Sequence, residues 1–164
     1  MSKARQARPR AAATPARKRD ARTGGTTAKR AARDAGEAVL RPVGVLSSTI
    51  KTRAEAPKQG EEGAPDAWLE VHAWAKEAMD GLAVGDEILV ITWFHRAHRD
   101  RMKVHPRSDP KNPLTGVFAT RSPDRPNPLG LHPVTVRAVE GRRLRVRPIE
   151  AIDGTPVVDI KPVL

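Results

Sequence analysis

The chain of 164 residues contains no cysteine and no tyrosine. The first absence excludes disulfide bonds, thiolate zinc sites and cysteine nucleophiles, and the second excludes a phenolic general acid or base. Any catalysis must therefore use His, Asp, Glu, Lys, Arg or backbone groups. No apolar run approaches the ~20 residues of a membrane span, and no signal-peptide core is present. We expect a soluble, cytoplasmic protein that has no membrane partner.

Positive charge is concentrated at the beginning of the sequence. Residues 1–41 contain 12 Lys and Arg but 3 Asp and Glu, a net charge of +9, whereas residues 42–164 contain 18 and 16, a net charge of +2. The first segment has no large apolar residue between Met1 and Val39, so burial cannot offset its ordering entropy. The sequence thus predicts a disordered basic arm over residues 1–41 and one folded domain over residues 42–164.

The folded part has the pattern of six or seven short strands with one short helix. The predicted strands cover residues 41–46, 68–72, 86–95, 116–120, 133–139, 144–148 and 157–160. The stretch 86–95 is an almost continuous apolar run, which predicts a strand buried on both faces. Residues 73–79 have strong helix propensity, and residues 96–115 are typical of a long loop. Without a βαβ rhythm, the pattern favours a mostly β fold, a small antiparallel sheet or barrel.

The usual motifs for nucleotide-like cofactors are missing from this sequence. No GxGxxG fingerprint follows a predicted strand, and no phosphate-binding P-loop is present. A Rossmann-type site is therefore unsupported. Any such cofactor would have to bind to loops of a β-rich fold.

The segment from Gly116 to His132 is unusual because a short strand pattern leads into a loop with three prolines. Proline restricts its own φ angle and the preceding residue, so the loop is partly fixed before a ligand arrives. Arg121 and Arg125 provide planar donor groups suited to a carboxylate or phosphate. A rigid connector with solvated arginines is the alternative interpretation.

A second distinctive segment extends from Asp153 to Pro162. Its Asp153-Gly154 pair predicts a tight turn whose backbone amides can approach a ligand closely. Asp159 and Lys161 share one face of the following strand and can pair. The alternative is an ordinary hairpin turn followed by an exposed ion pair.

Three histidines lie at the end of the apolar strand and in the loop after it, and they raise the hypothesis of a zinc site. They are His95, His98 and His105. Their spacing is a weak match to known zinc sites, and the arginines among them would repel a cation. These arginines are Arg96, Arg99 and Arg101. We therefore predict no metal here and favour a basic loop for RNA phosphate.

Together these segments resemble the TsaA-like family of tRNA threonylcarbamoyladenosine methyltransferases. The resemblance covers roughly residues 42–164 in the right order and spacing. Its matching pieces are Pro42-Val43-Gly44-Val45 with Ser47-Ser48, Pro57-Lys58-Gln59, Trp93-Phe94-His95-Arg96-Ala97, Gly116–Leu131 and Asp153–Pro162. Many relatives continue beyond the last motif with an aromatic residue and a further domain, where this sequence has Val163 and Leu164.

The resemblance implies a non-Rossmann β-barrel methyltransferase that is homodimeric and binds S-adenosylmethionine near the dimer interface. Its partner would be tRNA, methylated on the exocyclic nitrogen of threonylcarbamoyladenosine beside the anticodon. The family's cofactor contacts correspond to Pro57, Lys58, Gln59, His95, Arg96, Arg121, Leu131, Asp153, Gly154 and Thr155.

Methyl transfer from a sulfonium is an in-line displacement, so alignment of the reacting atoms should dominate catalysis. The attacking nitrogen must also lose a proton, and Asp153, Asp159 and His95 are the candidate acceptors. An aromatic face, Trp93 or Phe118, is a candidate contact for the sulfonium. Two other functions stay open: an S-adenosylmethionine enzyme for a small molecule or another RNA, and a non-catalytic nucleic-acid-binding module.

Overall fold

A computed structural model of the chain describes residues 39–164. The predicted disorder of the basic arm falls almost entirely on residues 1–38 and lies outside the described residues. No helix in the described part is long and apolar enough to cross a membrane.

Eight strands make up the regular structure between residues 39 and 164. They are β1 Gly44–Ser47, β2 Ala67–Val71, β3 Glu87–Trp93, β4 Lys103–Val104, β5 Thr115–Gly116, β6 Leu129–Glu140, β7 Arg143–Arg147 and β8 Pro156–Pro162. Six of these strands close an antiparallel barrel in the order β1-β2-β7-β6-β3-β8, while β4 and β5 form a separate two-stranded sheet. The predicted fold class, a small antiparallel β-barrel, is confirmed.

The barrel interior is filled by the alternate residues of its strands. In β7, Leu144 and Val146 are fully buried, whereas the arginines on either side of them are exposed. Val136 of β6 lies opposite Val146, and Leu69 of β2 lies opposite Leu144. Because side chains alternate across a strand, this pattern directs one apolar row into the core and one polar row outward.

Strand β3 differs from its prediction as a strand buried on both faces. Its inward residues Ile88, Val90 and Thr92 have no exposed surface, but the outward residues between them are only partly buried. The outward apolar residues are Leu89, Ile91 and Trp93. The apolar run therefore covers both faces of β3, although only one face contributes to the core.

The predicted short helix occupies Ala73–Met79, and it is a 3₁₀ helix. His72 precedes it without a side-chain hydrogen bond to its first turn, and only Ala75 and Met79 are buried. A short segment with so small an apolar face gains little from α-helical hydrogen bonding. Three further 3₁₀ turns are Gly60–Glu62, Pro106–Ser108 and Val117–Ala119.

The prediction of a strand over residues 116–120 was wrong, because only Thr115–Gly116 pair with β4 and a 3₁₀ turn follows. Arg125 explains the difference. Its Nη2 donates to the carbonyl oxygens of Val117 at 2.7 Å and Thr120 at 2.5 Å. The Val117 carbonyl also accepts the backbone N–H of Thr120 at 3.1 Å, so Arg125 and the turn's own backbone both stabilise the turn. The predicted long loop over residues 96–115 likewise contains β4 and the Pro106–Ser108 turn.

Candidate functional site

A cavity of about 390 Å³ opens at one end of the barrel. This is the end at which β3 and β7 finish and β6 and β8 begin, since all pairings are antiparallel. Residues from five chain segments line it, although not every residue of each segment does so. The segments are 53–59, 94–97, 104–108, 119–124 and 150–155. A volume of this size lies within the usual range of small-molecule sites.

The loops around the cavity are held together by charged side chains. Arg53 forms an ion pair with Asp124 at 2.9 Å, and the other oxygen of Asp124 accepts the backbone N–H of His98 at 2.9 Å. Burial raises the pKa of Asp124, but the Arg53 guanidinium and the His98 N–H together lower it by more than burial raises it. The carboxylate is therefore ionised at neutral pH. Asp124 thus joins three loops as a charged group.

A second ion pair, between Arg107 and Glu62, is bidentate. The two guanidinium nitrogens of Arg107 lie 3.0 and 3.1 Å from the two carboxylate oxygens of Glu62. Arg107 and the next residue, Ser108, both have positive φ angles, 60° and 58°. Non-glycine residues rarely adopt this conformation, which costs local stability and is often found at ligand sites.

The two arginines of the proline loop have different partners. Arg125 donates from Nε to the carbonyl of Ser122 at 2.9 Å, in addition to its bonds to Val117 and Thr120. Arg121 makes one bond, from Nη2 to the carbonyl of Leu131 at 3.0 Å, and its side chain lines the cavity. Arg125 is therefore a structural group of the loop, whereas Arg121 has donors left for a ligand.

A smaller cavity of about 180 Å³ adjoins the first. Lys58, Gln59, Phe94, Thr120, Arg121 and Glu150 line both cavities. Leu131 of β6 and Pro148, which follows β7, line only the smaller one. The six shared residues form a partition, and we call them the common wall.

Glu150 of the common wall is linked to a polar chain inside the barrel. The buried ring of His132 has Nδ1 3.1 Å from Glu150 Oε2 and Nε2 2.9 Å from Thr92 Oγ1. The Nδ1 contact is short but not aligned as a hydrogen bond. Burial raises the pKa of Glu150, but His132, the backbone N–H of Glu150 and Arg121 together lower it by more, so the carboxylate is favoured.

Seven of the ten predicted cofactor contacts line the larger cavity. They are Pro57, Lys58, Gln59, His95, Arg96, Arg121 and Thr155. An eighth, Leu131, lines the smaller cavity. The remaining two, Asp153 and Gly154, line neither cavity, so the role assigned to all ten stays a prediction.

Asp153 and Gly154 have structural partners in this chain. Asp153 Oδ1 accepts the backbone N–H of Ser48 at 2.9 Å, and Oδ2 pairs with Lys51 at 2.9 Å. The Ser48 N–H, with Lys51, lowers the pKa of Asp153. Gly154 has a φ angle of 75° and donates its N–H to the carbonyl of Leu46 at 2.8 Å. The Asp-Gly turn therefore ties the segment before β8 to the end of β1.

The candidate proton acceptors lie in different places. His95 lines the larger cavity, and desolvation together with the neighbouring Arg96 lowers its pKa. Asp159 lines neither cavity, and it pairs with Lys161 at 3.1 Å as the spacing predicted. The two aromatic candidates, Trp93 and Phe118, line neither cavity, whereas Phe94, which was not a candidate, lines both.

The sequence interpretation did not select Glu150 or His132 as candidate site residues. His132 is the last residue of the distinctive Gly116–His132 segment, but Glu150 lies 18 positions later and belongs to no motif, and the two meet only in the folded barrel. The one local sign is Gly130, two residues before His132 on the inward face of β6. A Cβ at Gly130 would lie 2.4 Å from Thr92 Oγ1 and 2.6 Å from His132 Nε2. Glycine at this position leaves the space that the polar chain occupies.

The histidines of the long loop do not belong to any cluster of described side chains that could hold a metal ion. Within residues 39–164, no three His, Asp or Glu side chains lie close enough together to hold a metal ion. His105 instead places Nδ1 2.7 Å from the carbonyl oxygen of Asn112.

A family model described as the tRNA-methyltransferase O N-terminal domain matches residues 45–164 of this chain. A probable S-adenosyl-L-methionine-binding protein of Methanothermobacter thermautotrophicus is 44% identical over 124 residues, which are 75% of this chain and 88% of that protein. An S-adenosyl-L-methionine-binding protein of Archaeoglobus fulgidus is 44% identical over 126 residues, 75% of this chain and 87% of that protein.

Solved structures with this fold include the crystal structure of TrmO from Pseudomonas aeruginosa. The similarity has a TM-score of 0.64 at 29% sequence identity and covers 79% of this chain. It covers 57% of the other chain, so the chain spans a little over half the length of that solved structure.

Proposed function

We propose that this chain, which belongs to the family of the tRNA-methyltransferase O N-terminal domain, is an S-adenosylmethionine-dependent methyltransferase that acts on tRNA. The finer proposal is methylation of the exocyclic nitrogen of threonylcarbamoyladenosine next to the anticodon. The TsaA-like motifs support it, as do relatives that are named S-adenosyl-L-methionine-binding proteins. A tRNA substrate would place the activity in the cytoplasm.

One observation carries the proposal: the larger cavity has the composition that S-adenosylmethionine requires. The cofactor has an anionic carboxylate at one end, and Arg121, Lys58 and Arg53 line the cavity with cationic groups. Its adenine and thioether carbons need apolar contacts, which Phe94, Ala97, Val104 and Ile152 provide. The residues present therefore fit the cofactor.

The bound cofactor would supply a methyl group on a positively charged sulfur. The contribution of the protein is to align that group with the accepting nitrogen, since alignment lowers the barrier of an in-line displacement. The Arg53–Asp124 and Arg107–Glu62 pairs hold the loops in place for this purpose. The ring of Phe94 is available to the sulfonium, because an aromatic face attracts a cation.

Basic residues of the segment 96–107, part of which lines the cavity, suit the phosphates of RNA. Arg99 and Arg101 are exposed in the segment that joins the lining residues Arg96 and Arg107, and Arg99 also stacks over Trp93 at 4.8 Å. Exposed arginines near a site provide affinity for a polyanion without reading its sequence. This arrangement supports tRNA as the substrate class.

Mass analysis of tRNA nucleosides tests the proposed function. The purified chain is incubated with S-adenosylmethionine and tRNA that either carries or lacks the threonylcarbamoyl modification. A methyl group added only to the modified adenosine is the expected result. Methylation of another nucleoside contradicts the finer proposal. Cofactor binding without any tRNA methylation favours a small-molecule substrate, and absence of cofactor binding favours a nucleic-acid-binding module.

We also propose a homodimer that forms through the outer face of β3 and β6. Ile91 lies opposite Leu131, and Leu129 lies opposite Trp93, whose ring is stacked by Arg99, so Ile91, Leu129 and Leu131 form one apolar surface. Leu129 and Leu131 are 38% and 47% exposed. A contiguous exposed apolar surface commonly marks a protein interface. Since Leu131 also lines the smaller cavity, this interface would adjoin the site.

Replacement of Leu131 by Asp tests the dimer, because burying a carboxylate in an apolar interface is costly. The molar mass in solution, measured by light scattering, should fall from that of a dimer to that of a monomer. Val84→Asp is the matched control, since Val84 is 64% exposed and lies before β3. A wild-type chain that is monomeric at high concentration contradicts this proposal.

A further inference from the structure

Apart from Leu131 and residues of the common wall, the smaller cavity and the polar chain behind Glu150 have no role in cofactor binding as proposed above. Glu150 is the one carboxylate within residues 39–164 that lines both cavities. Asp124 lines only the larger cavity and is occupied by Arg53 and the His98 N–H, and Glu61 lines only the smaller one. A group that serves two adjoining sites must lie in their common wall, and Glu150 does.

The polar chain leads from the barrel interior to this carboxylate. Thr92 and His132 are fully buried, and the edge of the Phe94 ring contacts the His132 ring with centroids 5.7 Å apart. Nδ1 of His132 lies 3.1 Å from Glu150 Oε2, and Nε2 lies 2.9 Å from Thr92 Oγ1, so the ring bridges the two side chains. Buried polar groups are costly unless satisfied, so their position in an apolar barrel calls for a reason.

We propose that the smaller cavity receives the methyl-accepting nucleoside and that Glu150 takes the proton from its nitrogen. This inference rests on the proposed function. The nitrogen's electron pair forms the N–C bond, the C–S bond breaks with its electrons passing to sulfur, and the N–H proton passes to a Glu150 oxygen. The sulfonium becomes a neutral thioether, and the carboxylate becomes a carboxylic acid, so charge and atoms balance.

His132 is a positioning residue in this scheme, because it touches Glu150 and not the substrate. The His132 ring contacts the carboxylate from one side, with Nδ1 3.1 Å from Oε2, while Thr92 contacts the ring from the other side. Gly60 adjoins the carboxylate, since a Cβ built there would lie 3.3 Å from Glu150 Oε2. The chain of contacts leaves Glu150 little freedom to turn away.

Several charged groups surround Glu150 and bear on its protonation. His132 faces it from β6, and Arg121 faces it from the proline loop. The other titratable or charged residues that line the two cavities are Arg53, Lys58, Glu61, His95, Arg96, His105, Arg107, Asp124 and Arg125. Of these side chains, His132 and Arg121 lower the pKa of Glu150 against the effect of burial, so the ionised form that can accept a proton is favoured.

The decisive experiment compares Glu150→Gln with wild type by calorimetric titration with S-adenosylmethionine and by single-turnover methylation of tRNA. Glutamine keeps the shape but cannot accept a proton. Cofactor affinity should be unchanged, while the methylation rate should fall about 10²–10⁴-fold, the usual loss for a general base. Glu77→Gln, an exposed carboxylate of the 3₁₀ helix, is the matched control for a charge loss.

The positioning role is tested with His132→Asn and Thr92→Val, each checked for its melting temperature. Losing the imidazole should move the acid limb of the pH–rate profile to higher pH, because His132 lowers the pKa of Glu150. Thr92→Val should produce a smaller shift in the same direction, and it keeps the test open should His132→Asn not fold.

Three outcomes overturn the inference, and they are separable. Glu150→Gln at the wild-type rate removes the proton-acceptor role, and loss of cofactor affinity in the same variant makes Glu150 a cofactor ligand instead. Both leave the proposed function intact. A wild-type chain that binds the cofactor but methylates no tRNA contradicts the proposed function, and the nucleoside subsite falls with it.

Discussion

Arg121 and Arg125 lie four positions apart in one loop, and their partners separate their roles. Arg125 binds three backbone carbonyls of its own loop, whereas Arg121 binds one and reaches both cavities. We expect Arg125 to stabilise the loop and Arg121 to bind the ligand. The sequence identified both arginines as candidate ligand-binding residues, but only their contacts in the structure distinguish the structural role from the binding role.

Arg121→Ala should weaken S-adenosylmethionine binding by about 1.5–3 kcal/mol, the usual value of a hydrogen bond to a charged group, which is roughly ten- to hundred-fold. Arg143→Ala is the control, since Arg143 lies outside on β7 and stacks over Trp68 at 4.3 Å. Calorimetry on both purified variants measures the difference. Equal affinities would remove Arg121 from the cofactor site.

His95 provides a prediction of pH dependence. Desolvation and then Arg96 lower its pKa below the ordinary value of 6.5, so the ring is neutral at pH 7. A protonated ring beside the cavity would repel a sulfonium cation. Cofactor affinity should therefore be constant from pH 7 upward and decline as the pH falls below 6.5.

Titration of affinity against pH in His95→Asn and His98→Asn tests the assignment. The first variant should lose the decline, because asparagine does not titrate. The second should keep it, since His98 is exposed and lines neither cavity. A decline that persists in His95→Asn would assign it to another group.

Among the strands, β6 contains a position, Gly130, that has no space for a larger side chain. Gly130 faces inward, and a Cβ there would lie 2.5 Å from Phe94 Cζ as well as close to Thr92 and His132. Gly130→Ala should therefore reduce the free energy of unfolding by about 1–3 kcal/mol, as overpacking in a core does. Gly116→Ala is the control, because nothing lies within 4 Å of its Cβ position. Urea unfolding of the two variants measures the difference, and equal midpoints would show that β6 shifts to accommodate the methyl group.

The barrel strands were predictable because alternation of apolar and polar residues directly reflects burial on one face. In β7, the order Arg143, Leu144, Arg145, Val146, Arg147 is sufficient to assign the strand. The turn after Gly116 was not predictable, since it depends on the guanidinium of Arg125 from later in the chain. Alternation also cannot distinguish an outward apolar face from a core face, which is why β3 was assigned burial on both sides.

The residues of the candidate site likewise fall into two groups: those that a local motif identifies and those that only the fold brings together. Residues within contiguous motifs, such as Pro57-Lys58-Gln59, came from the resemblance and line the larger cavity. The Thr92–His132–Glu150 chain depends on the register in which β3 pairs with β6 and on the path of the chain after β7. Local sequence does not determine the distances between strands, so the contacts among Thr92, His132 and Glu150 could be identified only from the three-dimensional structure.

At the scale of the whole molecule, charge separates the chain into two parts. The net charge of residues 1–41 is +9, and that of residues 42–164 is +2. Every family-like motif and both cavities lie in the second part. We therefore expect residues 42–164 to bind S-adenosylmethionine with the affinity of the full chain, and a stably folded truncation that does not bind would contradict this assignment.

The basic arm should add affinity for tRNA without adding choice among tRNAs. It has no aromatic residue for base stacking, and its Lys and Arg suit phosphate neutralisation. Each phosphate contact with single-stranded RNA adds about 0.7 to the slope of log affinity against log salt concentration. Titrations of the full chain and of residues 42–164 against tRNA at several salt concentrations should therefore give a shallower slope for the truncation, while the preference for the modified adenosine persists in both. Slopes that do not differ would leave the arm no part in RNA binding, because a contact that neutralises phosphate must release counterions.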